Sequence, residues 1–132
     1  MTLILTGRCS CGTVQYAVED AFEYALNCHC SRCRRATGSA FKAFGGIRRS
    51  QLSVVQGQGQ LLTVGDELTH DARCGRCGSL LYSQVRQGQY AHVTLGTLDD
   101  RPSLAPTAHI FVGSKAPWFT ITDDLPQHEA FG

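Results

Sequence analysis

The sequence predicts an all-β fold, because short runs of strand-forming residues alternate with turn signals along most of the chain. Its 132 residues fit a single domain spanning residues 1–132, and its fourteen glycines suit a fold with many tight turns. Only Ser31–Thr37, followed by Gly38, has a helical pattern. We therefore expect short antiparallel strands that pack as small sheets or as a distorted sandwich.

The clearest strand pattern covers residues 13–18, where Val14, Tyr16 and Val18 alternate with smaller or polar residues. Glycine-containing turns separate most of the other predicted strands, which cover residues 40–44, 51–55, 60–64, 80–85, 90–95 and 109–112. The last stretch, residues 105–132, is less regular. Its Trp118 and Phe119 predict an ordered loop anchored by aromatic side chains.

Composition argues for a soluble, cytoplasmic protein. The chain is 42% hydrophobic and 17% charged, which is typical of a folded globular domain. No run approaches the roughly 20 apolar residues of a membrane span, and the N-terminal segment lacks the basic region of a signal peptide. The net charge of +1 favours no class of partner. However, residues 24–65 contain no acidic residue and six of the twelve basic ones, so this span is either a solvated basic face or a surface that attracts anions.

Seven cysteines fall into three groups, and in a reducing compartment such grouping indicates metal binding rather than disulfides. The groups are Cys9-Ser10-Cys11-Gly12, Cys28-His29-Cys30-Ser31-Arg32-Cys33 and Cys74-Gly75-Arg76-Cys77-Gly78. A Cys-x-x-Cys turn lets two thiolates converge on one ion, and a following glycine lets backbone amides point at the sulfurs. The third group has this zinc-knuckle form in full.

Two divisions of the cysteines fit the spacing. In the first, Cys9, Cys11, Cys74 and Cys77 close a four-thiolate zinc site, and Cys28, Cys30 and Cys33 hold a second ion with one open position. In the second, Cys30 and Cys33 join Cys74 and Cys77 in a zinc ribbon, which leaves Cys9, Cys11 and Cys28 without a role. Spacing favours the first division and leaves the second open.

Histidines are not expected to complete these sites. His29 lies between two candidate ligands and could complete the second site. However, adjacent residues in an extended segment point opposite ways, so its side chain is expected to face away from the metal and to bond to nearby backbone. The other histidines, at positions 70, 92, 109 and 128, are isolated in sequence, and we assign none of them to metal.

These motifs, in this order and at these distances, resemble the glutathione-dependent formaldehyde-activating family, whose domain also occurs in centromere protein V. The segment from His109 to Trp118, followed by Leu125-Pro126, is similar to the closing segment of that family. The resemblance covers nearly the whole chain. One position departs from the pattern, because Arg73 stands where an aromatic residue often precedes the third motif.

The resemblance implies a small all-β zinc-binding fold similar to the Mss type, with short antiparallel strands and zinc knuckles. It also implies the first division: Cys9, Cys11, Cys74 and Cys77 as structural zinc ligands, and Cys28, Cys30 and Cys33 as labile, catalytic ones. Two zinc ions per chain are then expected, and occupancy of the second site can be partial. The implied activity is carbon–sulfur lyase chemistry run in the synthetic direction, joining glutathione and formaldehyde into S-(hydroxymethyl)glutathione.

In that reaction, the open zinc position would take the substrate thiol as a thiolate. Three cysteine thiolates give the zinc site a net charge of −1, which favours ligand exchange over polarisation of a carbonyl group. The basic side chains expected to offset this charge and to hold the carboxylates of glutathione are Arg32, Arg34, Arg35 and Lys42.

Two other functions fit the same residues. A non-catalytic zinc-stabilised module could bind a thiol, an anionic ligand or a protein partner. Alternatively, Cys28, Cys30 and Cys33 could sense or store metal. Nucleic-acid binding is not expected, because the basic span holds few aromatics (Tyr24, Phe41 and Phe44) and no recognition helix.

Overall fold

The computed structural model describes residues 2–131, and these residues form ten β-strands and one α-helix. The strands are β1 (Ile4–Arg8), β2 (Gln15–Glu19), β3 (Tyr24–Cys28), β4 (Lys42–Arg48), β5 (Leu52–Gln56), β6 (Leu61–Gly65), β7 (His70–Cys74), β8 (Leu80–Val85), β9 (Tyr90–Thr94) and β10 (His109–Ile110). Helix α1 (Ser31–Thr37) connects β3 to β4.

The strands form two sheets. The small sheet has three strands in the order β1-β2-β5, and the large sheet has seven in the order β10-β3-β4-β9-β8-β7-β6. The predicted all-β class is confirmed. The expectation of antiparallel pairing holds for every strand pair except β10–β3, which is parallel. This pair joins the C-terminal segment to the strand that ends at Cys28.

The main core lies between the two sheets. Tyr16 and Val18 of the small sheet pack in one buried cluster with Ile47, Ala91 and Val93 of the large sheet. The period-two pattern explains this arrangement, because alternate residues of a strand point to the same face. Burying an apolar side chain of this size contributes roughly 1.5–3 kcal/mol.

Strand positions follow the sequence pattern closely, with three omissions. Each predicted strand overlaps an observed one, and residues 80–85 match β8 in full. The sequence pattern missed β1, β3 and β7. In β7 only Ala72 and Cys74 are buried, so its sequence lacks the alternation of large apolar residues on which the prediction depends.

Helix α1 has the predicted bounds, and local chemistry explains both ends. Cys30 is the N-cap, and its sulfur accepts a hydrogen bond from the Cys33 amide at 3.2 Å. Gly38 ends the helix in the left-handed conformation, with φ of 61°, which glycine adopts without steric cost. The helix therefore holds Cys30 and Cys33 in a fixed relation to each other.

The C-terminal segment is anchored by Phe119, which packs against His29 and Phe41. Trp118 is 70% exposed, so the expectation that it is an anchor is wrong. Gly132, the end of the predicted loop, lies outside the described residues.

Within residues 2–131, no helix combines the length and the apolar character needed to cross a bilayer.

Candidate metal centres and the adjoining cleft

Four cysteines from two separate segments of the chain meet in one cluster. The sulfurs of Cys9, Cys11, Cys74 and Cys77, hereafter the four-cysteine cluster, all lie within 4.8 Å of one another. Cys9 and Cys11 follow β1, whereas Cys74 ends β7 and Cys77 lies in the turn before β8. The cluster therefore joins the small sheet to the large one.

Backbone amides point at these sulfurs. The amide of Val14 donates to the Cys9 sulfur at 3.3 Å, and the amides of Arg76 and Cys77 donate to the Cys74 sulfur at 3.4 and 3.5 Å. Both turns need the glycine that follows the second cysteine, because Gly12 and Gly78 have φ values of 78° and 82°. These are the amide–sulfur contacts expected of zinc knuckles, and they favour thiolates over thiols.

The distances between the sulfurs fit a tetrahedral zinc ion. Four sulfurs placed about 2.3 Å from one ion at tetrahedral angles lie about 3.8 Å apart. In the structure, the Cys11 sulfur lies 3.6 Å from that of Cys9 and 3.8 Å from that of Cys74. Hydrogen bonds from Ser79 lower the pKa of Cys77 to about 5, so this ligand is readily available as a thiolate. The spacing of the four sulfurs thus suits a zinc ion.

A second cluster contains the remaining cysteines. The sulfurs of Cys28, Cys30 and Cys33, hereafter the three-cysteine cluster, also lie within 4.8 Å of one another. Cys28 ends β3, Cys30 caps α1, and Cys33 lies in the first turn of that helix. Within residues 2–131, no fourth protein ligand joins these three sulfurs, so the site has an open position of the kind typical of catalytic zinc.

Within the three-cysteine cluster, the thiols of Cys28 and Cys33 share a hydrogen bond. This bond raises the pKa of Cys33, and burial raises it further, while the same bond lowers the pKa of Cys28. Cys33 therefore keeps its proton in the absence of a cation, and Cys28 is the more acidic thiol. Metal binding at this cluster must release protons.

The second division of the cysteines does not match the structure. Cys74 and Cys77 lie with Cys9 and Cys11, whereas Cys30 and Cys33 lie with Cys28. Within residues 2–131, the cysteines thus separate into groups of four and three and do not form a ribbon site from Cys30, Cys33, Cys74 and Cys77.

His29 is not part of either cysteine cluster in the described structure. It is fully buried, and its Nε2 lies 2.8 Å from Nδ1 of His109, whose Nε2 lies 3.0 Å from a carboxylate oxygen of Asp123. The expectation that His29 bonds to backbone is therefore wrong, because β10 brings a histidine side chain beside it. This chain of polar contacts ties the C-terminal segment to the loop between Cys28 and Cys30.

Beside the three-cysteine cluster is a cleft of about 170 Å³, hereafter the Lys42 cleft. Its lining includes Arg32, Cys33, Lys42, Asp71, Ser83 and His92. Lys42 is only 6% exposed, and its Nζ donates to the Ser83 hydroxyl at 2.9 Å. That hydroxyl donates in turn to a carboxylate oxygen of Asp71 at 2.6 Å. Burial lowers the pKa of Lys42, while the nearby Cys33 and Asp71 oppose this shift.

The polar residues of the cleft form a row across the large sheet. Strand register places Asp71 opposite Ser83, and Ser83 opposite His92. The register also pairs His92 with Gly46, and Gly46 with Tyr24. Directly paired residues share one face of a sheet, so this row lies on the face away from the main core.

Gly46 allows Tyr24 to reach His92. A Cβ atom at position 46 would lie 2.1 Å from Cζ of Tyr24, so only glycine leaves room for the ring. The Tyr24 hydroxyl lies 2.7 Å from Nε2 of His92. The phenol proton has no other partner in residues 2–131, so we assign the hydroxyl as donor, and the imidazole proton then lies on Nδ1.

His92 is neutral at physiological pH. Burial, together with the positive charges of Lys42 and Arg86, lowers its pKa to about 3. Its ring stacks on Phe44 with the ring centroids 4.2 Å apart, which fixes its orientation. The cleft thus offers one buried cation and one neutral N–H donor next to three thiols.

The predicted basic residues occupy different environments. Arg32 lines the cleft, whereas Arg35 is exposed and donates a hydrogen bond to the Ser31 carbonyl. Nε of Arg34 is buried without a hydrogen-bond partner in residues 2–131. Lys42 is buried at the cleft and does not lie on the surface beside the arginines.

Sequence reasoning missed His92, Ser83, Asp71 and Tyr24, because each is a single polar residue in a strand with no motif around it. Arg73 was recognised only as a departure from the family pattern. Its guanidinium donates to the carbonyls of Gly78 and Ala36, and so connects the knuckle after Cys77 to the helix that carries Cys33.

The fold and these clusters define a small β protein built around two groups of cysteines arranged to bind metal. The profile of the family described as "Glutathione-dependent formaldehyde-activating enzyme" matches residues 4–114. The chain belongs to this family.

The chain is also similar to two individual proteins. A protein of Halomonas elongata that carries the provisional name of glutathione-dependent formaldehyde-activating enzyme is 28% identical, over 90% of this chain and 82% of its own length. The crystal structure of a Rhodobacter sphaeroides protein is similar, with a TM-score of 0.61 and 29% sequence identity. That match covers 76% of this chain and 97% of the other.

Proposed function

We propose that this protein catalyses the addition of a small thiol, glutathione or a close analogue, to formaldehyde or another small aldehyde, and the reverse reaction. The observation that carries the proposal is the three-cysteine cluster, whose Cys33 lines the Lys42 cleft. The four-cysteine cluster would hold a structural zinc ion, and the three-cysteine cluster would hold an exchangeable one. Family membership supports this choice of substrates.

The reaction is a simple addition. The thiol sulfur forms a bond to the carbonyl carbon, the second carbon–oxygen bond opens, and the proton lost from the thiol ends on the oxygen. No oxidant or reductant is needed. A zinc ion bound by Cys28, Cys30 and Cys33 would supply stabilisation of the attacking thiolate at neutral pH.

The other roles belong to side chains of this chain. Lys42 offsets the negative charge of the three thiolates, since these charges act on it across the cleft. Arg32, at the wall of the cleft, and the exposed Arg35 would attract the carboxylates of glutathione. A cleft of about 170 Å³ is smaller than the roughly 300 Å³ of typical ligand pockets, so most of the tripeptide would lie over the outer surface.

The test must separate catalysis from the spontaneous reaction. We would measure the exchange rate between ¹³C-formaldehyde and S-(hydroxymethyl)glutathione by NMR exchange spectroscopy, with and without zinc-loaded protein. We expect the protein to accelerate exchange, and we expect Cys30→Ser to return the rate to the background while circular dichroism stays unchanged. The matched control is Ser53→Ala, a change on an exposed residue of the small sheet.

The result that would contradict the proposal is an exchange rate equal to the background with fully zinc-loaded protein. If glutathione still bound under those conditions, the protein would be a binding module and not an enzyme.

A further inference from the structure

The buried amino group of Lys42 has more hydrogen-bonding capacity than the protein uses. A lysine ammonium has three N–H donors, and within residues 2–131 its Nζ makes one side-chain hydrogen bond, to Ser83. Lys42 is 6% exposed, and it lines the cleft that Cys33 also lines. Burying a cation with spare donors is costly unless an anionic or strongly accepting group meets it.

Ser83 and Asp71 hold this amino group in place. The Ser83 hydroxyl accepts a hydrogen bond from Lys42 and donates one to Asp71, so the donor and acceptor roles of all three groups are fixed. Asp71 does not contact Lys42 directly in this chain of bonds, and so it orients the cation without occupying its other donors.

A second donor enters the same cleft from β9. His92 is neutral and accepts the Tyr24 proton at Nε2, which leaves Nδ1–H as its available donor. The stacking of His92 on Phe44 and the 5.9 Å distance from the Lys42 amino group to the Phe44 ring place His92 and Lys42 on the same patch of the sheet. Two donors of different strength thus line one small cleft beside the thiols.

We propose that the Lys42 cleft is an oxyanion subsite, in which Lys42 and Nδ1–H of His92 donate to the oxygen of the aldehyde as it gains charge. This inference rests on the proposed function for the identity of the substrate, but the subsite itself would also take a small carboxylate. Lys42 and His92 contact the reacting oxygen, whereas Ser83, Asp71 and Tyr24 are positioning residues. Preorganised donors of this kind typically accelerate a reaction about 10²–10³-fold each.

Two measurements on the zinc-loaded protein test the subsite. The first is the dissociation constant of formate, followed by NMR titration, because formate presents a small carboxylate without reacting. We expect Lys42→Met to weaken formate binding about tenfold or more and His92→Phe to weaken it several-fold. Arg101→Met, which removes one positive charge from an exposed residue outside the cleft, should leave it unchanged.

The second measurement is the rate of adduct exchange. We expect Lys42→Met to lower kcat by about 10²-fold with little change in KM for glutathione. Ser83→Ala should lower kcat to a smaller degree, and Ser83→Thr, which keeps the hydroxyl, should restore it. A purely structural role of Ser83 would change stability and not the ratio of kcat to KM.

The outcomes separate the two ideas. If the wild-type protein shows no turnover but formate binding depends on Lys42, the proposed function is wrong and the oxyanion subsite stands. If turnover is present while Lys42→Met changes neither formate binding nor kcat, the subsite is wrong and the proposed function stands.

Discussion

Replacing Gly46 by alanine tests the row of polar residues across the large sheet. The added Cβ would lie 2.1 Å from Cζ and 2.6 Å from the hydroxyl oxygen of Tyr24. Ordinary carbon–carbon contacts are about 3.5–4.0 Å, so the ring must move by more than about 1 Å. A bond of 2.7 Å between Tyr24 and His92 does not survive such a shift.

The expected cost follows from these contacts. Loss of the hydrogen bond contributes about 1 kcal/mol, and overpacking of the ring contributes about 1–3 kcal/mol. Gly46 does not have a positive φ, so alanine itself brings no backbone strain. We therefore expect Gly46→Ala to lower the free energy of unfolding by about 2–4 kcal/mol, or the Tm by about 7–14 °C.

A double-mutant cycle with Tyr24→Ala shows whether the cost of Gly46→Ala comes from its contact with the Tyr24 ring. Chemical denaturation at a fixed zinc concentration should show that Gly46→Ala costs less than about 0.5 kcal/mol once the ring is absent. An equal cost of Gly46→Ala in both backgrounds, or a single variant as stable as the wild type, would show that Gly46 does not make room for the Tyr24 ring.

Three further predictions concern separate features. Arg73→Met should speed chelator-induced loss of zinc from the three-cysteine cluster several-fold, because Arg73 donates hydrogen bonds to the carbonyls of Gly78 and Ala36. Arg76→Met, a change on the same knuckle, should leave the rate of zinc loss unchanged, and equal rates for the two variants would contradict this role of Arg73. His92 has a pKa of about 3 in the folded protein against about 6.5 unfolded, so between these values only the unfolded chain binds the proton, and stability rises with pH. Its contribution is complete only well above the unfolded pKa of about 6.5, and about 1.4 kcal/mol of it is lost between pH 7.5 and 5.5. Denaturation of His92→Phe at both pH values should show a loss smaller by that amount, and an identical loss would contradict this. Leu81→Ala, at a fully buried core position, should cost about 2–5 kcal/mol in the same denaturation assay, and a cost below 1 kcal/mol would contradict the assigned core.

The fold class and the grouping of the cysteines could largely be predicted from the sequence. Alternation in residues 13–18 predicted β2, and the Cys-x-x-Cys-Gly turn predicted the knuckle, because these signals depend only on neighbouring residues. The C-cap glycine at position 38 ended the helix as expected. Signals that depend only on neighbouring residues are the ones that a single sequence shows most clearly.

The Lys42 cleft could not be predicted in the same way. Its residues come from helix α1 and four strands, and only strand register brings Asp71, Ser83 and His92 into one row. The role of Gly46 is equally invisible in sequence, since a glycine pair also signals a turn. In the sequence, Lys42 is one of six basic residues in the span from residue 24 to 65, and nothing there shows that it is buried. Its burial depends on the helix and the strands that cover it.

His29 shows a similar limit. The extended segment correctly suggested that its ring turns away from the cysteine sulfurs, but its partner, His109, is 80 residues away. The pairing depends on the parallel contact between β3 and β10, which has no local sequence signal.

Zinc content and secondary structure of two serine variants test the central claim most directly, namely that the four-cysteine cluster maintains the fold and the three-cysteine cluster holds a separate, exchangeable ion. We expect purified wild-type protein to contain up to two zinc ions per chain, and Cys30→Ser to retain one with unchanged circular dichroism. Cys74→Ser should lose both the folded spectrum and the tightly bound zinc. If both variants unfold equally, or if Cys30→Ser retains as much zinc as a fully loaded wild type, the division of labour between the two clusters is wrong.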